Sequence, residues 1–159
     1  LHKYNIMVHG MFITGADDDE PQTIRDTVRF ALRNKIDTVQ FSMLTPIPGT
    51  RLYKQLDEEG RIFSKDWTLY DAHHVVFEPS KMTPYVLQVE TFKAMKRFYT
   101  LWQCLKLVFR FRFLAAFLRY YGNRQIRRWE GGNKEFVEWV RERARGLTAP
   151  KKPAAEQAD

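Results

Sequence analysis

The spacing of hydrophobic positions switches between a period of two and a helical period near 3.6 in the first half of the chain, then stays helical. Residues 4–14, YNIMVHGMFIT, join apolar, β-branched and aromatic residues over too short a span for an amphipathic helix, so a buried strand is expected. GADDDEP follows as a loop, where Asp19 and Gln22 fit a capping box with Pro21 in the first turn. A helix over about 20–34 then sets Ile24, Val28, Ala31 and Leu32 on an inner stripe. The next strand, 38–44, alternates: Thr38, Gln40 and Ser42 lie on one face, Val39, Phe41 and Met43 on the other. Strand, helix and strand with short links predict a βαβ unit, hence parallel strands and a right-handed crossover.

Thr50 as N-cap and Gly60 after the last turn bound a helix over 52–59. Residues 62–72 read as an aromatic loop with Trp67 and Tyr70, and 73–77 as a short strand candidate closed by Pro79. Thr83-Pro84 opens a long helical region expected to run unbroken to about residue 110. Beyond Phe111 the pattern loses phase. Arg112 and Arg119 take the angle held earlier by Leu101 and Leu105, so a straight helix would bury arginine, and a break is predicted within 111–113. A last helix is expected over 134–145, and the tail from 147, rich in Pro, Ala and Lys, reads as disordered.

Charge divides the chain along the same line. Residues 1–82 hold 10 Lys/Arg against 12 Asp/Glu, whereas 83–159 hold 16 against 7. No acid occurs between Glu90 and Glu130. The organisation expected is therefore an α/β part over 1–82, a basic helical extension over 83–146 and a tail over 147–159. A hydrophobic content of 44% in 159 residues argues against global disorder and supports a real core. The lone Cys104 excludes an internal disulfide and a cysteine-built metal cage, and fits a reducing, cytoplasmic setting. No apolar run approaches the roughly 20 residues of a spanning helix, and no signal peptide is read. Starting at Leu1, inside an apolar run, the chain is expected to be a piece of a longer protein.

Candidate chemistry gathers where the strands end. Ligands of parallel α/β sheets sit at the carboxyl ends of strands, and both GMFITGADDDE and QFSMLTPIPGT occupy such ends. Gly10 and Gly15 allow close backbone approach, Pro46 and Pro48 stiffen the second loop, and Gln40 and Ser42 form a polar face unusual for a doubly buried strand. The plainer alternative is that the glycines serve turns and the prolines punctuate a helix start.

These segments also carry a resemblance. GMFITG with an acidic helix start, TVQFSMLTPIPGT, GRI, DWTLYD, HHVVFEP and MTPYVLQ follow one another as in the C-terminal part of radical SAM enzymes, most closely those with a cobalamin-binding domain. The likeness covers residues 6–99 and extends into the basic region to 129. It implies α/β architecture: the C-terminal part of a partial (β/α)6 TIM-like barrel, followed by the helical extension. It also implies S-adenosylmethionine, a 4Fe–4S cluster whose CxxxCxxC ligands lie outside this chain, and possible use of cobalamin. The activity implied is that of a radical SAM enzyme, with methyl transfer, cyclisation and rearrangement all open, acting on a small-molecule or lipid-like substrate. The remainder of the same enzyme is the implied partner. The family's strand pattern maps onto Ile13 and Gly15 as cofactor-binding residues, with Gly10 one position out of register. Where many relatives carry LPGE this chain has ADDD, with Asp18 as the stand-in for the acid. Gln40 and Ser42 are lumen-facing candidates from alternation alone.

The rest of the chain offers weaker chemistry. His73-His74 would point to opposite faces of a strand and so do not suggest a metal site, and Asp17–Asp19 fail the calcium-loop pattern. The three aspartates are expected to favour the positive helix N-terminus. The basic aromatic stretch 93–129 has three readings: aromatics packed onto the barrel with solvated arginines, contact with an anionic membrane surface, or nucleic-acid binding. Nucleic acid is not expected. A non-enzymatic docking module built on this stretch is the competing function.

Overall fold

The computed structural model describes residues 2–4 and 6–146. The expected tail, 147–159, lies outside the described residues. The fold is mixed α/β and mostly helical, around a two-stranded parallel sheet of β1 (His9–Thr14) and β2 (Thr38–Met43). The helices are α1 (Pro21–Arg33), α2 (Arg51–Glu58), α3 (Pro84–Phe98), α4 (Leu101–Val108), α5 (Phe113–Gly132) and α6 (Lys134–Ala144).

The βαβ reading holds, since β1 pairs with β2 in parallel and in register from His9 with Thr38 to Thr14 with Met43. Alternation then decides the faces. Val39, Phe41 and Met43 are buried against Ile24, Val28 and Ala31 of α1 and Leu87 and Phe98 of α3. The first strand is shorter than expected and is not buried: Met11 and Ile13 are 70% and 68% exposed, and within β1 only Thr14 is buried. Helices cover one side of the sheet, so only one parity of each strand reaches the core.

Capping follows the sequence in part. The Thr50 hydroxyl accepts from Tyr53 N–H (3.2 Å) and starts α2. The start of α1 differs from expectation: the N-cap is Glu20, whose N–H donates to Thr23 Oγ1 (3.2 Å). Asp19 is instead drawn back into the loop, accepting from Gly15 N–H (2.8 Å) and Ala16 N–H (3.1 Å). Among the described residues, three helix ends close with the paired carbonyl bonds of a Schellman motif. One uses Gly60; the other two put Lys35 (φ 56°) and Phe111 (φ 57°) in the left-handed region that favours glycine. A bulky residue there costs roughly 1–2 kcal/mol.

Between Thr83 and the start of α5 the helical region breaks twice. One break was not expected: α3 stops at Phe98, and the Thr100 hydroxyl accepts from Gln103 N–H to start α4. The other falls at 109–112, as the phase change requires, and folds α4 back on α5 around Leu107, Ala115 and Ala116. Arginine is buried nonetheless. Arg119, 4% exposed, donates to the carbonyls of Asp37 (3.0 Å) and Ile36 (2.6 Å) and lies over the Phe98 ring. Arg112 pairs with the buried Asp37 carboxylate at 2.6 Å, whose other oxygen accepts from Val8 N–H. These contacts bolt the α4–α5 hairpin to the N-terminal end of β2.

Residues 73–77 do not form the expected strand. They give only an antiparallel bridge, Ile62 with Phe77, because other partners take the backbone groups. The buried Gln88 side chain accepts from Val75 N–H and donates to His73 C=O, both at 2.9 Å. The outer edge of β2 is sealed likewise. The Tyr99 hydroxyl bonds both N–H and C=O of Val39, and Ala72 C=O accepts from Met43 N–H (2.8 Å). A lone parallel pair would otherwise leave that edge open.

Candidate functional site

The side of the sheet away from α1 and α3 is the candidate site. Met11 and Ile13 of β1 stand beside Gln40 and Ser42 of β2 by strand register, and Gln40 Nε2 donates to Ser42 Oγ (3.2 Å). Further toward the N-terminal end, His9 Nδ1 and Thr38 Oγ1 are 2.7 Å apart on the same side. Beyond that pair the face alternates across the strands, with apolar Met11 and Ile13 from β1 and hydrogen-bonding Gln40 and Ser42 from β2.

Two loops rim its C-terminal end. In TPIPGT, Pro46 is buried, and Ile47-Pro48-Gly49-Thr50 forms a type II turn with Gly49 at φ 84° and Thr50 N–H donating to Ile47 C=O (3.1 Å). That turn delivers Thr50 to cap α2, so the proline loop is a rigid joint between strand and helix. In GADDDE, Gly15 has φ 99°, and a Cβ there would stand 2.7 Å from Leu87 Cδ2. The aspartates are committed to side-chain and loop partners rather than to the first turn of α1. Asp17 meets Arg61 and Ser80, each at 2.6 Å, and Asp18 meets Lys81 at 3.4 Å. The hydrogen bonds from Arg61 and Ser80 hold the Asp17 carboxyl below its ordinary value.

Of the residues singled out in sequence, Ile13, Gln40 and Ser42 come together on the bare face. Gly10 and Gly15 turn toward the helices: a Cβ on Gly10 would meet the Phe12 ring at 2.9 Å and Ile36 at 3.3 Å. Met11 also belongs to the face and shares the parity of Ile13; a strand expected to be buried gives no sequence signal that sets it apart.

DWTLYD and the histidines after it shape the neighbouring loop. Asp66 Oδ1 accepts from Thr68 N–H and Oγ1–H. Asp71 Oδ1 accepts from the N–H groups of His73 and His74 and lies 2.9 Å from His74 Nδ1. Burial opposes ionisation of Asp71, but the bonds from His74 and His73 outweigh it and leave its carboxyl below the ordinary value. His74 Nε2 meets Asn133 Oδ1 at 2.8 Å, so both ring nitrogens are engaged within the protein. Among the described residues no cluster of three metal-ligating side chains occurs. Cys104 is a single buried thiol on α4, its pKa pushed up by burial, and supplies no ligand set for an iron–sulfur cluster. No helix of the described residues is long and apolar enough to cross a membrane.

No protein-family model matches the chain. Among curated proteins it is 42% identical over 82 residues to the bacteriochlorophyllide d C-12(1)-methyltransferase of Chlorobaculum tepidum, covering 52% of this chain and 18% of that protein. The bacteriochlorophyllide d C-8(2)-methyltransferase of the same organism is 31% identical over 98 residues, 62% of this chain and 22% of that protein. The anaerobic magnesium-protoporphyrin IX monomethyl ester cyclase of Cereibacter sphaeroides is 28% identical over 99 residues, 62% of this chain and 16% of that protein. The matched segments thus span about a fifth of the length of these relatives, which are named as methyltransferases and a cyclase.

Proposed function

We propose that the chain is the C-terminal part of a radical SAM enzyme, and that its bare sheet face is a wall against which S-adenosylmethionine and a small-molecule substrate are held. One observation carries this reading. Two parallel strands present Ile13, Met11, Gln40 and Ser42 together on a helix-free face that ends in two ligand-side loops. The residues suit such a ligand: Ile13 and Met11 offer apolar contact to an adenine or a flat substrate, and Gln40 and Ser42 offer donors and acceptors to its polar edges. S-adenosylmethionine, when bound, supplies the methyl or radical chemistry. The residues of this chain bind, orient and exclude water.

The names of the relatives favour a tetrapyrrole as the substrate class, with methyl transfer as the reaction. Cyclisation is the second reading, favoured by the cyclase among them. The iron–sulfur cluster would be held by residues other than those described here, and so would cobalamin if the enzyme uses it as methyl carrier. The expected location is cytoplasmic.

The test uses full-length protein prepared without oxygen and reconstituted with iron and sulfide. Gln40→Leu combined with Ser42→Ala should weaken S-adenosylmethionine binding about tenfold, the worth of one or two hydrogen bonds. Because both side chains stand on the bare face, the thermal midpoint should hold. A full-length protein that lacks CxxxCxxC and converts S-adenosylmethionine to neither 5′-deoxyadenosine nor S-adenosylhomocysteine overturns the proposal.

A further inference from the structure

The outward side of the α4–α5 hairpin departs from the first of the three readings of the basic aromatic stretch, aromatics packed inward with solvated arginines. Phe98 and Tyr99 pack inward, but five aromatics of the hairpin do not: Trp102, Phe109, Phe111, Phe113 and Phe117 are 63%, 74%, 82%, 61% and 62% exposed, whereas Arg119 is buried and Arg112 is held by Asp37. Phe111, at the tip, occupies a left-handed backbone conformation. A phenylalanine there accepts backbone strain with no burial in return, 82% exposed and meeting the likewise exposed Phe113 ring edge to face, which points to a role outside the fold.

Beside this apolar side lies a hollow of about 430 Å³ bordered by Lys35, Lys106 and Arg110 together with the already partnered Arg112 and Arg119. Lys35 follows the C-cap of α1, Lys106 lies on α4, and Arg110 lies in the connection to α5. Among the described residues none of these three has a carboxylate partner, and Lys106 reaches only the Trp102 ring, 5.5 Å from its nitrogen. No acid interrupts the chain from residue 91 to 129. The apolar tip and the unneutralised cations are contiguous along α4 and its connection.

We propose that the α4–α5 hairpin docks this protein onto an anionic lipid bilayer, with Phe109, Phe111 and Phe113 entering the interface and Lys35, Lys106 and Arg110 meeting lipid phosphates. Charge complementarity selects the occupant. A protein partner or the rest of the chain would cover the apolar tip, but neither of itself calls for this concentration of unpaired cations, whereas an anionic surface matches both features. The hollow and the tip are built from residues other than those of the sheet face, so the inference stands apart from the proposed chemistry.

The experiment is flotation of the full chain with vesicles of phosphatidylcholine alone or mixed with phosphatidylglycerol. Binding should require phosphatidylglycerol and weaken as salt is raised. Lys106→Glu with Arg110→Glu should lower the partition coefficient more than about tenfold, each basic residue near such a surface being worth roughly fivefold. Phe109→Ser with Phe111→Gly should lower it several-fold. Glycine at 111 relieves backbone strain, so this pair separates lost docking from lost folding, with the thermal midpoint as the check. Equal flotation with both vesicle types, flotation with neither, or variants that bind like the parent would each overturn the inference. Flotation with neither, together with protection of 109–117 from amide exchange in the full-length protein, would assign the tip to a protein contact instead.

Discussion

The bare sheet face and the outward side of the α4–α5 hairpin both expose large apolar side chains, and they do so for different reasons. The bare sheet face offers Met11 and Ile13 across from Gln40 and Ser42 on regular, parallel strands whose other side is firmly packed. The outward side of the α4–α5 hairpin offers aromatics and cations on a short helix and a long one joined by a strained corner. The first is a mixed surface with rigid backing, suited to a small ligand with polar edges. The second is broad and basic, suited to an extended anionic surface. Their placement differs too: the loops 15–20 and 44–50 rim the C-terminal ends of the strands, whereas Arg112 and Arg119 fasten the hairpin at the opposite end, at Ile36 and Asp37. Exposure alone therefore says little. The backing and the neighbouring charge separate the two.

The attachment between these regions is where the comparison breaks most readily. Arg119→Ala strands two carbonyls and removes a guanidinium from the Phe98 ring, and should cost about 3 kcal/mol in urea unfolding. A loss below about 1 kcal/mol would mean the hairpin is held by its apolar contacts. Next in size, Gly15→Ala adds a Cβ into Leu87 at a positive φ and should cost about 2 kcal/mol by the same measurement. It should also weaken ligand binding at the sheet rim while sparing vesicle binding.

The smallest effect concerns the clamp between α1 and α3. Glu90 accepts from Arg25 (2.8 Å) and Lys93 (2.9 Å), and the Arg25 bond leads the causes that lower its pKa despite burial. A carboxyl depressed in the folded state contributes stability above its unfolded pKa, near 4.3, and loses it as pH falls through the lower folded value. The stability gap between the parent and Glu90→Gln should thus be full at neutral pH and close below about pH 4. A gap that persists to lower pH would show that shape, not charge, matters at this position. Solvent screening of half-exposed Arg25 keeps the effect small.

Much of the candidate face was legible in advance because strand alternation is a local property. Gln40 and Ser42 share a side whatever packs against the strand, and the register with β1 then sets Ile13 beside Ser42. Met11 escaped notice because an apolar run cannot reveal whether one or both sides of a strand are covered. The short strand at 73–77 was lost for a different reason. Its backbone partners come from the Gln88 side chain and from the 61–63 segment, which no local pattern announces.

By itself the sequence determined the βαβ order, the caps at Thr50 and Thr83 and the break near Phe111, all set by steric and hydrogen-bonding preferences acting over a few residues. Only the tertiary structure decided which cations are buried and which aromatics face out. Burial of a guanidinium depends on distant carbonyls and a distant carboxylate arriving to satisfy it, and Asp37 is 82 residues away from Arg119. Once those partners claimed Arg112 and Arg119, the aromatics that a simple amphipathic rule would turn inward were left on the outside.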